Sequence, residues 1–412
     1  YGGPLFLYYP PGFSYLAALP AKAGVGLVTA LQATALALWM ASGVGAYVLT
    51  RRWIGRSGAT LAAVAFLLSP YHIALVYIRG AMAEFAAMAL LPWVVWLTVR
   101  AVEDGGWRWR LPAALAVSAL VATHPFIAMV SLTLLAAGIV WAAWRAPAPD
   151  RARVLAVGAG TLALGMALSA WFWLPMLAGW GDVAMQRVID GPGAYTQHFV
   201  RPRDLLGWGP RPGDVAVSIG SAHLALSALA LIRLPWLRRS HPSVARLVGV
   251  VAVVGALAAV LMLPIAEPVW RALRPLQAGQ FPWRLHTLLS LASAVLAGAS
   301  VVGWPWPIHR ALVGAGVAAL LALNLQACRP AYTFVDNRIG TSQAALDGLR
   351  RAFPSLWWED FLPIAAAHAP PAAPIQPLSV VEGALEVEAS RLAPIRREFT
   401  VRAAAPARVE VG

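Results

Sequence analysis

Residues 245–264 read ARLVGVVAVVGALAAVLMLP, with Arg246 as the lone charge. A helix rises about 1.5 Å per residue and the hydrocarbon core of a bilayer is about 30 Å thick. Roughly 20 such residues therefore cross it with every peptide group bonded inside its own segment. Comparable runs occupy 24–50, 58–78, 80–101, 124–144, 154–178, 216–234, 284–303 and 308–327. A further stretch, 111–122, is too short to cross alone and ends at His124-Pro125, so it is expected as a half-span that meets the next helix outside the membrane. The reading is an all-α polytopic membrane helix bundle of about 9–10 spans. Composition agrees: the chain is 59% hydrophobic and 12% charged, where a soluble chain carries about 25% charged residues.

The net charge of +14 sits in short clusters between apolar runs, which is the pattern of membrane topology and excludes a nucleic-acid partner. Arg51, Arg52 and Arg56 fill one connection, and Arg100, Arg108 and Arg110 the next. Arg145, Arg151 and Arg153 fill a third, Arg233, Arg238, Arg239 and Arg246 a fourth, and Arg310 joins them. If each span is crossed once and the short stretch completes a hairpin, all five fall on one side, the cytoplasmic one. Residues 1–23, the region around 79, the His124 turn, 179–215, 265–283 and the tail from 329 are then external. Trp53, Trp107, Trp109, Trp180, Trp208, Trp283, Trp304 and Trp306 cluster at expected span ends and read as an interfacial aromatic belt. Cys328 is the only cysteine, which rules out disulfide frameworks and cysteine-based metal sites.

The 179–215 connection is long, rich in Gly and Pro, and carries Arg187, Asp190, Tyr195, His198, Arg201, Arg203 and Asp204, the profile of a functional loop. Past 329 the apolar runs stop and acidic residues appear, among them Asp336, Asp347, Glu359 and Asp360. A helix is expected over 341–353, a linker over 366–376, and then alternating strand patterns. Residues 329–412 thus read as the start of a small extracytoplasmic β-rich domain after a membrane domain over 1–328. The opening at Tyr1 and the alternating final residues read as the ends of a fragment.

Polar groups near the external ends of helices are the site candidates, because each costs a few kcal/mol at membrane depth. Ser69-Pro70-Tyr71-His72 leads to Tyr77, Arg79, Gly80 and Glu84. Glu84 is either a first-turn carboxylate paired with Arg79 or a group that handles substrate. A second group is Gln277, Gln280, Phe281, Pro282, Trp283, Arg284 and His286. There an arginine on the external side opposes the topology bias and either stands where a phosphate could meet helix N-terminal amides or snorkels to lipid headgroups. Arg79, Arg201, Arg203, Arg271 and Arg274 are external too, a basic rim suited to a pyrophosphate or phosphodiester. His124, in its proline turn, reads first as a hydrogen-bonded structural group. Two histidines and one carboxylate could take a divalent ion, but no metal-ligand spacing is present, so metal dependence stays open.

Four motifs carry a resemblance: Tyr8-Tyr9-Pro10-Pro11-Gly12-Phe13, Arg79-Gly80-Ala81-Met82-Ala83-Glu84, Thr123-His124-Pro125, and Gln280-Phe281-Pro282-Trp283-Arg284. With them the chain resembles bacterial membrane proteins named for a 6-pyruvoyl-tetrahydropterin synthase-related domain, although nothing in the residues suggests pterin chemistry. That family is in turn similar to multi-spanning C-type glycosyltransferases. The resemblance implies a multi-pass protein of the bacterial cytoplasmic membrane that takes sugar from a polyprenyl-phosphate donor at the external face. The acceptor would be a glycan, lipid or protein. It also implies a catalytic acidic residue in an external loop upstream of Tyr-Pro-Pro, a segment this chain lacks, so the usual base falls on no position here. Glu84 remains the catalytic candidate, with Tyr9, Arg79, His124, Arg201, Arg203, Gln280 and Arg284 as substrate-binding candidates. The rival reading is a non-enzymatic membrane scaffold or a component of polysaccharide or lipid export. Internal repeats and midplane polar groups, the usual marks of transport, are not evident in the sequence.

Overall fold

The first long helical run turns back on itself at a glycine. Helix α1 covers Gly12–Lys22, and α2 covers Leu27–Leu67 with Gly55 at φ 69° and ψ 179° inside it. That left-handed conformation is open to glycine without strain, and the chain reverses there. Trp39 Nε1 donates to the Leu67 carbonyl at 3.0 Å, so the two arms of α2 lie antiparallel, with Arg51, Arg52 and Arg56 at the tip.

The computed structural model describes residues 8–179, 194–207 and 217–324, together with the strand backbones of 379–382, 385–393, 396–403 and 408–410. After α2 come α3 (Pro70–Tyr77), α4 (Met82–Asp104), α5 (Trp107–Thr123), α6 (Pro125–Arg145), α7 (Ala148–Leu168) and α8 (Ala170–Ala178). Beyond the 194–207 segment lie α9 (Ser221–Ile232), α10 (Leu234–Ser240), α11 (Pro242–Met262), α12 (His286–Ala299) and α13 (Trp306–Asn324). Six helical runs among the described residues are long and apolar enough to cross a membrane: Leu27–Tyr77, Met82–Asp104, Pro125–Arg145, Ala148–Leu168, Pro242–Met262 and Trp306–Asn324.

Lipid as the solvent explains the outer surface. On α11, Val250, Val253, Leu257 and Val260 are 44–68% exposed and recur at helical spacing on one face. In water such a stripe would be a liability, whereas against acyl chains it is the matching surface. Inside, α12 is buried along nearly its whole length and packs against α2, α11 and α9, while its Leu291 and Val295 share one core cluster with Phe66 of α2 and Phe85, Met88 and Leu91 of α4.

Three expected spans differ from the structure. The 111–122 half-span belongs to the 17-residue α5, which begins at Trp107. Arg110 lies over the Trp107 ring at 4.4 Å and Arg100 over Trp109 at 4.8 Å, so long cationic stems cover aromatic rings and the helix extends past its apolar window. The expected spans 216–234 and 284–303 are the 12-residue α9 and 14-residue α12. Helix α12 is enclosed by protein instead of lipid, so it does not need the full bilayer length.

The arginine clusters gather at one end of the bundle. Arg52 pairs with Glu103 at 2.6 Å, Arg153 donates to the Val102 carbonyl at 3.4 Å, and Ile54, Leu237, Val244 and Val302 share one core cluster. His309, beside Arg310, is bonded to the Val301 carbonyl at 2.8 Å. A wrongly placed helix would have separated these loops.

The chain divides into two compact units, one holding the helices and one the strands. In the latter, β1 (Ser379–Glu382) pairs antiparallel with β4 (Arg408–Glu410), and β2 (Leu385–Ala393) with β3 (Arg396–Ala403). Trp180, Asp182, Arg187, Asp190, Trp208, Cys328, the expected 341–353 helix and the 366–376 linker lie outside the described residues.

Candidate functional site

At the end of the bundle opposite the arginine clusters, a tight turn brings Arg79 back over the helix that precedes it. Arg79 N bonds to the Ala74 carbonyl at 2.9 Å and Ala81 N to the Leu75 carbonyl at 2.8 Å, with Gly80 at φ 60° between them. From there Arg79 Nη1 donates to Glu84 Oε2 at 2.9 Å and to the Tyr71 hydroxyl at 3.1 Å. Tyr71, fully buried, in turn donates its hydroxyl to Glu84 Oε1. Glu84 is 2% exposed and sits in the first turn of α4, where the helix dipole favours a negative charge. Arg284 Nε stands 3.6 Å from the same Oε2. One carboxylate thus faces two guanidiniums, and the cluster carries one net positive charge. Burial alone would lower the Arg79 pKa, but the neighbouring Glu84 charge and the Tyr71 oxygen outweigh it and hold the group further above its usual value.

Helix α12 anchors this cluster from below. The His286 ring stacks on Tyr71 at 4.8 Å and 14°, and its nitrogens are bonded to the Val217 carbonyl at 3.0 Å and Ser290 Oγ at 3.2 Å. Ser69 Oγ donates to Ser290 Oγ at 2.8 Å.

The 279–285 turn needs its own unusual backbone. A Cβ on Gly279 would lie 2.2 Å from the Phe126 ring, and Gln280 takes φ 58°, a left-handed conformation that non-glycine residues adopt at a cost. Arg284 Nη1 closes the turn by donating to the Gly279 carbonyl at 2.7 Å. Phe281 and Trp283 stack at 4.8 Å and 14°, with the His198 ring against both at 4.8 and 5.0 Å. Trp283 thus packs in a ring cluster with Phe281 and His198, next to Arg284 in sequence. Among the described residues, Trp283 Nε1, Arg284 Nε and Thr287 Oγ1 are buried without a hydrogen-bond partner, Arg284 Nε having only its longer ion pair to Glu84. Three such donors within five residues are an anomaly that a bound acceptor-rich group would remove.

The remaining motifs reach the same end. His124 caps α6, its Nδ1 accepting from Ile127 N at 3.4 Å. Burial, and then the Arg284 charge, push its imidazole down to about 3, so it acts as a neutral acceptor. A Cβ on Gly12 would meet Thr123 Oγ1 at 2.5 Å, so the Tyr-Pro-Pro-Gly element packs directly on the His-Pro turn. Tyr9 there is 49% exposed.

Some expected residues lie apart. Arg201 pairs with Asp204 at 2.6 Å and Arg203 lies 3.7 Å from the same residue, with side chains 59% and 70% exposed. Arg271 pairs with Glu267, so much of the expected basic rim is neutralised locally, while Arg79 and Arg284 turn inward. The 194–207 segment is not a free loop: Val200 N bonds to the Met262 carbonyl at 2.8 Å, and Tyr195 stacks on Trp270 at 5.6 Å. Sequence reasoning placed Tyr71 in the first candidate group without assigning it a role of its own, and passed over Thr287. The available signal was a polar side chain on an otherwise apolar segment adjoining a motif. Among the described residues no three His, Cys, Asp or Glu side chains gather closely enough to hold a metal ion.

A family model described as a 6-pyruvoyl-tetrahydropterin synthase related domain, membrane protein, matches residues 6–300. No curated protein matches the chain.

Proposed function

We propose, from the premise that the chain belongs to the 6-pyruvoyl-tetrahydropterin synthase related family of membrane proteins, that it transfers a sugar from a polyprenyl-phosphate donor in the manner of C-type glycosyltransferases. The observation that carries the reading is the pair of inward-turned arginines on Glu84, with Trp283 Nε1 and Thr287 Oγ1 nearby, buried and without a hydrogen-bond partner among the described residues. A donor phosphate placed there would meet Arg284 Nε, Trp283 Nε1 and Thr287 Oγ1, and Arg79 would add charge as the glycosidic bond breaks. The stacked Phe281–Trp283 surface offers an apolar wall for the first isoprene units or a face for the sugar.

In this reading Glu84 positions the arginines. Its two oxygens are engaged by Tyr71 and Arg79, which leaves it poorly placed to take a proton from an acceptor hydroxyl. The arginine-rich end faces the cytoplasm by the positive-inside bias. The site and the strand-forming tail then lie on the external side of a bacterial cytoplasmic membrane, the tail as a small β-rich domain.

The test is transfer in proteoliposomes supplied with polyprenyl-phosphate sugars and candidate glycan, lipid or protein acceptors. Arg284→Gln is expected to lower transfer at least tenfold while the protein stays folded by tryptophan fluorescence. Transfer that is unchanged in an Arg284→Ala, Glu84→Ala double variant would remove these residues from the reaction. Absence of transfer with every donor would favour the scaffold or export reading.

A further inference from the structure

Toward the arginine-rich end, a cavity of about 610 Å³ lies among α2, α4, α6, α11 and α12. Its wall on α4 runs from Leu91 to Glu103 and on α11 from Ser243 to Val254. At about 1.5 Å per residue these are depths of roughly 16–18 Å, close to one leaflet of a hydrocarbon core about 30 Å thick. Its volume is in the range of sites that take a small amphiphile.

The two ends of the cavity differ. Its inner wall is built from aliphatic side chains such as Leu135, Val251 and Leu291. The end nearest the arginine loops carries Arg52, Arg246 and Glu103. Arg52 is held by Glu103 at 2.6 Å and lies over the Trp53 ring at 3.8 Å. Arg246 is exposed in the first turns of α11 and enters no ion pair among the described residues. These three side chains sum to one positive charge, and the α11 amide dipoles add to the positive field. Along the wall, the buried hydroxyls of Thr98 and Ser131 have no hydrogen-bond partner among the described residues, which marks a lining that these groups leave incomplete.

We infer that this cavity holds an acyl chain of an anionic phospholipid drawn from the adjoining leaflet, with the headgroup phosphate at Arg246 and beside Arg52. The one-leaflet depth selects a bilayer lipid, and the unpaired cation at the mouth selects a negative headgroup. Anionic lipids are also the ones concentrated in the leaflet that arginine-rich loops face. The site is independent of the Glu84 cluster and of the reaction proposed there.

The experiment uses the intact chain purified in mild detergent, with native mass spectrometry and thermal melting in added phosphatidylglycerol or phosphatidylcholine. The wild type should retain phosphatidylglycerol through purification and melt several degrees higher with it than with phosphatidylcholine. Arg246→Gln, at an exposed position, should reduce phosphatidylglycerol retention at least fivefold and abolish the difference between the two lipids. Gly138 lines the cavity and, among the described residues, nothing beyond its own stretch of helix lies within 4 Å of its Cβ position. Gly138→Trp should therefore fill the space and lower retention while leaving the lipid-free melting temperature near that of the wild type. Equal response to the two lipids, retention of phosphatidylglycerol undiminished in both variants, or a polyprenyl phosphate recovered in its place would each overturn the assignment.

Discussion

Glu84→Gln removes one negative charge and leaves the size of the side chain almost unchanged, so it isolates what that charge does for the site. The carboxylate lies 2.9 Å from Arg79 Nη1 and 3.6 Å from Arg284 Nε. At an effective dielectric near 20 the gross attractions are about 6 and about 5 kcal/mol. Desolvating the three ions offsets most of this, at several kcal/mol per ion. The substitution does not recover that offset: it leaves two guanidiniums, 14% and 18% exposed, facing each other without a counter-charge. Removing one partner of a buried pair costs about 3–5 kcal/mol, and we expect Glu84→Gln to lose that much. Arg79→Gln should cost less, since Glu84 keeps Arg284 and the Tyr71 hydroxyl. The double variant Glu84→Gln, Arg79→Gln should be more stable than the sum of the two single losses predicts, with a coupling of about 1–3 kcal/mol. Denaturant or thermal unfolding in detergent, followed by tryptophan fluorescence, measures all four corners of the cycle. If Glu84→Gln were as stable as the wild type, or the two losses simply added, the carboxylate would not be holding the arginines and the site argument would fail.

Gly279→Ala should destabilise by about 1–3 kcal/mol through overpacking against Phe126, and Phe126→Leu in the same background should recover part of the loss in the same unfolding assay. His124→Ala removes the side-chain cap of α6 and should cost about 1 kcal/mol. Arg201→Ala, at an exposed ion pair, should change stability by less than about 1 kcal/mol and leave sugar transfer intact; a large loss of transfer would return Arg201 to the site. For topology, Cys328→Ser followed by Arg203→Cys or Ser240→Cys should give single thiols that a membrane-impermeant maleimide labels from opposite sides of sealed vesicles. Labelling of both from one side would break the assignment of the two bundle ends.

The sequence by itself determined the solvent and the order of the helices. Runs such as 245–264 leave no other way to satisfy their peptide groups in lipid, and the spacing of Arg51, Arg100, Arg145 and Arg233 placed their loops together before any coordinates did. It also marked Arg79, Glu84, His124 and Arg284, because polar groups stand out against an apolar background. What periodicity cannot distinguish is a helix facing lipid from one enclosed by protein, which is why 284–303 reads as an ordinary span in the sequence. Nor could it separate charges that pair with a neighbour, like Arg201 with Asp204, from those that turn inward. Only the tertiary structure decided those points. Burial and ion pairing depend on which helices meet, and here Gly12 against Thr123 and Gly279 against Phe126 bring together chain segments more than a hundred residues apart, contacts that no local pattern encodes.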